Sequence, residues 1–129
     1  MAVLFECDGK LIWSPSPRLA KVFIAQVRSV EESEQTSSGV GILVADEVSV
    51  DMCVLLGFVR KIGEVLESGS SATVASLFAG VFAVSYGLLA ASGAELPGFS
   101  GEVARLAERG ARLVSGRGAS GPIYERGPN

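Results

Sequence analysis

Histidine is absent from the 129 residues, which removes the commonest general base, the Ser/His and Cys/His nucleophile pairs and most transition-metal sites. Any chemistry would fall to carboxylates, tyrosine, lysine, arginine or cysteine. The densest acidic group, Asp46, Glu47 and Asp51, stands just before an apolar stretch with helical spacing. Buried there, a carboxylate would rise toward neutrality and could move protons; exposed, it would only complement a helix terminus. Tyr86 is the one phenol within a long uncharged stretch. Its hydroxyl could serve a substrate or a carboxylate, although a structural hydrogen bond is the plainer use. Trp13 could wall a ligand site or staple a strand to the helix that follows. The candidate catalytic residues are thus Asp46, Glu47, Asp51 and Tyr86, with Trp13 as the candidate ligand contact and no metal or cofactor expected.

Two further features are set aside. Cys7 and Cys53 lie far apart and outside any CxxC or Cys/His cluster, so buried free thiols are expected rather than a zinc site or a disulfide framework. Gly116, Gly118 and Gly121 match GxGxxG literally, yet they follow a helical pattern, precede Pro122 and leave no room for a second strand. They are read as a coincidence in a glycine-rich tail.

The elements that would position these residues are legible in part. Asp8-Gly9 between VLFEC and KLIW predicts a β-hairpin over residues 3 to 13, since this dipeptide suits the positive backbone angles of a two-residue turn. Ser14 or Ser16 can cap a helix beginning near Pro17, because a proline in the first turn gives up only an amide hydrogen unused there. Leu19, Ala20, Phe23, Ile24, Val27 and Val30 form its apolar face. Its acidic end, Glu31, Glu32 and Glu34, opposes the helix dipole, so fraying and a mobile connection over 35 to 41 are expected. The short apolar run Ile42 to Ala45 suggests a strand. Ser49 is the expected cap of a second helix, with Leu55, Phe58, Val59, Ile62, Val65 and Leu66 as its stripe.

From Ser68 to Ala94 no residue is charged. A helix apolar nearly all round is either central or membrane-spanning, and length alone permits both. Glu64, Glu67 and Glu95 near its ends, and the lack of a tryptophan belt, favour a central helix of a soluble protein. Its small residues recur every four positions as Ala72, Ser76, Gly80 and as Ala79, Ala83, Gly87. Such spacing admits a close backbone neighbour, either within one chain or across a homodimer seam. After Pro97-Gly98, Ser100 can cap a last helix with Val103, Leu106, Ala107, Gly110, Leu113 and Val114 on one face and a Glu108–Arg112 pair.

The fold expected is mainly α: an N-terminal hairpin followed by four helices around a central apolar one. One domain would cover residues 1 to 115, with a flexible Gly/Pro-rich tail over 116 to 129. Hydrophobic residues make up 48% of the chain, enough for one real core. The net charge of -3, with only the tail mildly basic, argues against nucleic-acid or anionic-membrane partners. The opening residues lack the basic flank and long apolar run of a secretory signal, so a reducing cytoplasm is expected.

The combination FECDGKLIWSPSPRLAKVF, then ADEVSVD, then an apolar helix resembles an uncharacterised family of small actinobacterial proteins that open with a short hairpin and a Trp-x-Pro-Ser segment. The resemblance covers about residues 1 to 96, and the chain beyond Leu96 departs from it. It implies the fold and a bacterial source but no activity. Two functions lead over a third, a membrane-associated protein. One is a soluble interaction protein, homo-oligomeric, binding a protein or a small apolar ligand. The other is a small metal-free enzyme, of cyclase or isomerase type, that uses a buried carboxylate for acid–base chemistry on an apolar molecule.

Overall fold

Asp8 and Gly9 both adopt positive φ, 53° and 79°, the backbone that a two-residue turn between right-twisted strands requires. They join β1 (Leu4–Cys7) to β2 (Lys10–Trp13) in the computed structural model, which describes residues 1–69 and 71–116. The hairpin pairs Cys7 with Lys10 and Glu6 with Leu11, then skips Ile12 to pair Phe5 with Trp13. That extra residue is a bulge, and it turns Ile12 into the core. The tail over residues 117–129, with Gly118 and Gly121, lies outside the described residues.

No strand forms over Ile42–Ala45. The third strand is β3 (Glu47–Ser49), which pairs in parallel with β1 through Leu4–Glu47, Phe5–Val48 and Glu6–Ser49. The sheet order is β2-β1-β3. Ala45 and Asp46 both take positive φ, and Val44 and Glu47 exchange two backbone hydrogen bonds across them, 3.0 and 2.9 Å. This reversal leaves Ile42 and Val44 exposed and puts Val48 and Val50 inside. The alternation in Glu47-Val48-Ser49-Val50 is the period-two pattern of a half-buried strand, and it prevails over the apolar run before it.

The first helix, α1 (Pro17–Glu34), starts where Ser16 Oγ accepts from the Leu19 amide at 3.2 Å. Ala20, Phe23, Val27 and Val30 are buried, whereas Leu19, expected beside them, is 48% exposed. The acidic end does not fray before Glu34. Glu31 accepts from the Ser38 amide and hydroxyl at 2.8 and 2.6 Å and from Arg28, whose other nitrogen donates to the Gly41 carbonyl at 2.7 Å. Lys61 Nζ donates to the Glu34 carbonyl. The link expected to be mobile is thereby tied down, with Ser38 and Val40 buried.

Burial alone would raise the Glu31 carboxyl, but the Ser38 and Arg28 hydrogen bonds outweigh it and hold the group below its ordinary value of 4.5. A carboxyl depressed in the folded state stabilises the fold above the unfolded value, and the contribution fades as pH falls through the folded value. Glu31→Gln should therefore lower the urea midpoint at pH 7, and the gap to wild type should close as pH drops below 4.5. A gap independent of pH would show that the charge on Glu31 contributes nothing.

The second helix, α2 (Met52–Glu67), is capped by Asp51 rather than Ser49, which lies in β3; Asp51 Oδ1 accepts from Val54 N at 3.1 Å. Leu55, Phe58, Val59 and Ile62 are buried. The third, α3 (Ala72–Ala91), packs against each of the other helices and against β2. The fourth, α4 (Gly101–Ser115), carries no side-chain cap: Ser100 instead donates its amide and hydroxyl to the Glu67 carboxylate, at 2.9 and 3.2 Å. Its ion pair is Glu102–Arg105, not Glu108–Arg112. The mainly α fold with an N-terminal hairpin is the one expected from the sequence.

Two members of the second small-residue row, Ala83 and Gly87, are consumed within the chain. Ala83 and Gly87 of α3 face Gly110 of α4 so closely that a Cβ on Gly110 would overlap the Ala83 carbonyl. One on Gly87 would overlap the Gly110 carbonyl and the Val114 side chain.

Candidate functional site

Parallel pairing of β1 with β3 carries the chain from Val50 straight into α2, so the hairpin tip and the start of α2 share one end of the sheet. An open concavity of about 460 Å³ lies there, lined by Glu6, Asp8, Gly39, Ser49, Asp51 and Cys53 among others. Cys53, expected to be buried, is exposed; Cys7 is buried, as expected. Burial, then the Asp8 charge, push the Cys7 thiol above its ordinary 9.0, against a hydrogen bond from the Met52 amide. Cys7 is thus a protonated packing group rather than a nucleophile.

Of the four residues considered for proton transfer, only Asp51 lines this concavity. Asp46 occupies the exposed reversal before β3, Glu47 is exposed on that strand, and Asp51 is an exposed helix cap. The burial that acid–base work would need is met by none of the three. Tyr86 sits elsewhere, half-buried on α3 against Phe82 and Phe99, with ring centroids 6.2 and 6.3 Å away. Burial, and then the Glu108 carboxylate, raise its phenol above 10. No hydrogen bond to the Tyr86 hydroxyl forms among the described residues, so the structural bond expected of it is replaced by ring packing.

Of its two expected parts, Trp13 takes the packing one. Its ring lies 5.0 Å from Phe5 and 5.7 Å from Phe23, centroid to centroid, stapling the hairpin to α1. It also borders a hollow of about 360 Å³ between β2 and the end of α4, with Leu11, Leu113 and Gly116. Among the described residues no group of three or more His, Cys, Asp or Glu side chains is placed to hold a metal ion.

A different feature stands out on α3. It is long and apolar enough to cross a membrane, yet only 44% of its apolar window is buried. Its C-terminal half is enclosed, whereas Ala72, Thr73, Ser76, Leu77 and Gly80 of its N-terminal half are exposed, Leu77 by 71%. On one side Leu77, Phe78 and Val81 border a groove of about 360 Å³ against Gln26, Ser29 and Ser33 of α1. On the other, Gly80 and Val84 border one of about 180 Å³ against Leu106, Arg109 and Leu113 of α4. Among the described residues, Arg109 is the sole ionisable one lining either groove. The Ala72-Ser76-Gly80 row pointed here from the sequence; the exposure of Leu77 did not, because every position of an uncharged helix reads alike.

A family model described as a family of unknown function (DUF6086) matches residues 1–116, and the chain belongs to that family. The match runs past Leu96 through α4, so the last helix is part of the family pattern and not a departure from it. No curated protein and no solved structure matches the chain.

Proposed function

We propose that this member of a family of unknown function is a non-catalytic interaction protein that works as a homo-oligomer. The observation that carries the reading is the uncovered, uncharged half of α3, with Leu77 at 71% exposure between two grooves. A contiguous apolar surface on an otherwise charged, acidic protein marks a contact site. The exposure of Asp46, Glu47 and Asp51 gives the acid–base alternative no support. Free thiols at Cys7 and Cys53 suit a reducing cytoplasm, and the opening hairpin with its Trp13-Ser14-Pro15-Ser16 segment suits an actinobacterial source. Sedimentation velocity of the full chain without detergent should report a dimer or a larger species at micromolar concentration. A monomer throughout that range would remove the reading, and a requirement for detergent would replace it with a membrane role for α3.

A further inference from the structure

We propose that Arg28 and Glu31 form an acid-released latch: together they hold residues 38–41 as a strap over the outer edge of β3, and protonation of Glu31 frees that edge while the rest of the fold stands.

In the order β2-β1-β3 the third strand has a neighbouring strand on one side only. Residues 38–41 cover the other side. The Gly41 amide donates to the Ser49 carbonyl and the Asp51 amide to the Gly39 carbonyl, both at 2.8 Å, and Val40 bridges antiparallel to Val50. Gly39 takes a φ of +80°, and a Cβ on it would overlap the Asp51 carbonyl, so the strap lies flat against the entry to α2.

Both ends of the strap hang on one ion pair of α1. At the near end, Glu31 Oε2 accepts from the Ser38 amide and hydroxyl, and the same hydroxyl accepts from the Val40 amide at 3.0 Å. At the far end, Arg28 donates one nitrogen to the Gly41 carbonyl. Its other nitrogen bonds both Glu31 oxygens, at 3.1 and 3.3 Å. The carboxylate therefore holds Ser38 directly and orients the guanidinium that holds Gly41.

Protonation reaches both ends at once. A neutral Glu31 loses its attraction for Arg28, and one of its two oxygens becomes a donor although Ser38 and Arg28 all present donors to it. The surroundings offer no substitute charge. Residues 35–41 include no ionisable side chain, Lys61 of α2 donates to the Glu34 carbonyl, and on the β3 side Glu47 is exposed and Asp51 caps α2. On α1 itself, Glu34 accepts from Ser33 and Glu32 is exposed. Among the described residues, Arg28 is the one charge that acts on Glu31. With the carboxyl held below its ordinary 4.5, the strap is closed at neutral pH and is released as pH falls through that lower value.

The unit that opens is small. Val40 is the one buried apolar side chain within residues 38–41, whereas β3 stays paired with β1 and α2 stays packed on α3. Release leaves the Ser49 carbonyl and the Asp51 amide unpaired, which makes a strand edge of the kind that recruits further strands. Gly39 also walls the concavity at the hairpin tip, so that concavity widens in the same step.

Residue-resolved amide exchange of the full chain, followed by NMR and corrected for its intrinsic pH dependence, tests the latch. Between pH 6 and pH 3 the Gly41 and Asp51 amides should come to exchange at least about tenfold faster, with a midpoint below 4.5, and should stay well ahead of the Phe58 and Val59 amides of α2. Glu31→Gln should already exchange fast at pH 6 and show no acid step. Should that variant fail to fold, Ser38→Ala keeps the carboxylate, and it should speed exchange at pH 6 with the acid step retained. Slow exchange of Gly41 and Asp51 at every pH, an acid step that survives Glu31→Gln, or an unchanged rate in Ser38→Ala would each overturn the latch. So would exchange of Gly41 and Asp51 at one common rate with Phe58 and Val59, because the strap would then leave only with the whole fold.

Discussion

Gly110→Ala should unfold roughly 10 °C below wild type, on a cost of about 3 kcal/mol and a shift of about 3–4 °C per kcal/mol for a chain of this size. The added methyl would meet the Ala83 carbonyl, and a helical backbone cannot give way as a side-chain tip can. The two helices must part instead. Their separation would loosen Gly87 against Val114 and disturb the burial of Ala83 and Ala107 nearby, so the loss spreads beyond one contact. Gly57→Ala supplies the opposite sign. Nothing lies within 4 Å of a Cβ there, so the substitution should raise stability by about 0.5–1 kcal/mol through helix propensity alone. Differential scanning calorimetry of the two variants decides the matter. If Gly110→Ala melts with or above wild type, α3 and α4 do not cross at these glycines.

Phe5→Ala is expected to cost about 3–5 kcal/mol, the range for emptying a fully enclosed phenylalanine site. Phe5 is 0% exposed on the middle strand, and its ring lies 5.0 Å from Trp13 and 6.1 Å from Phe23. The trio joins the hairpin to α1, and tilted aromatic contacts of this kind add to the area they bury. Loss of Phe5 therefore leaves a cavity that the other two rings cannot fill without changing their own packing. The chain contains one tryptophan, so Trp13 fluorescence in urea reports this site directly. Leu11→Ala, on the same hairpin but 52% exposed, should change the midpoint little. Equal midpoints for the Phe5 and Leu11 variants would mean that the hairpin is not docked on α1.

Local pattern was enough for the elements whose causes lie within a few residues. The hairpin follows from Asp8-Gly9, α1 from Ser16 and Pro17 with Phe23, Val27 and Val30 on one face, and α2 and α4 from their apolar stripes. Turn geometry, capping and helical periodicity act over four residues or fewer, so they are written in consecutive letters. Errors of a residue or two at the caps, Asp51 in place of Ser49, come from several oxygen-bearing side chains competing for the same free amides.

What only the tertiary structure decided involves partners far apart in the chain. β3 is a strand because β1, more than forty residues earlier, offers it a parallel edge; the alternation of Glu47 to Val50 is too short to outrank the more apolar Ile42–Ala45 without that partner. Glu31 strengthens the end of α1 instead of fraying it because Ser38 folds back onto its carboxylate. The concavity at the hairpin tip gathers Glu6, Asp51 and Cys53 only through that same pairing. Above all, the sequence determined that α3 would be uncharged and lined twice by small residues, but not which row would be used. Docking against Gly110 buries Ala83 and Gly87 and leaves Ala72, Ser76 and Gly80 in the open. Burial is a property of what covers a residue, and in an uncharged helix the residue types do not differ enough from face to face to say which side is covered.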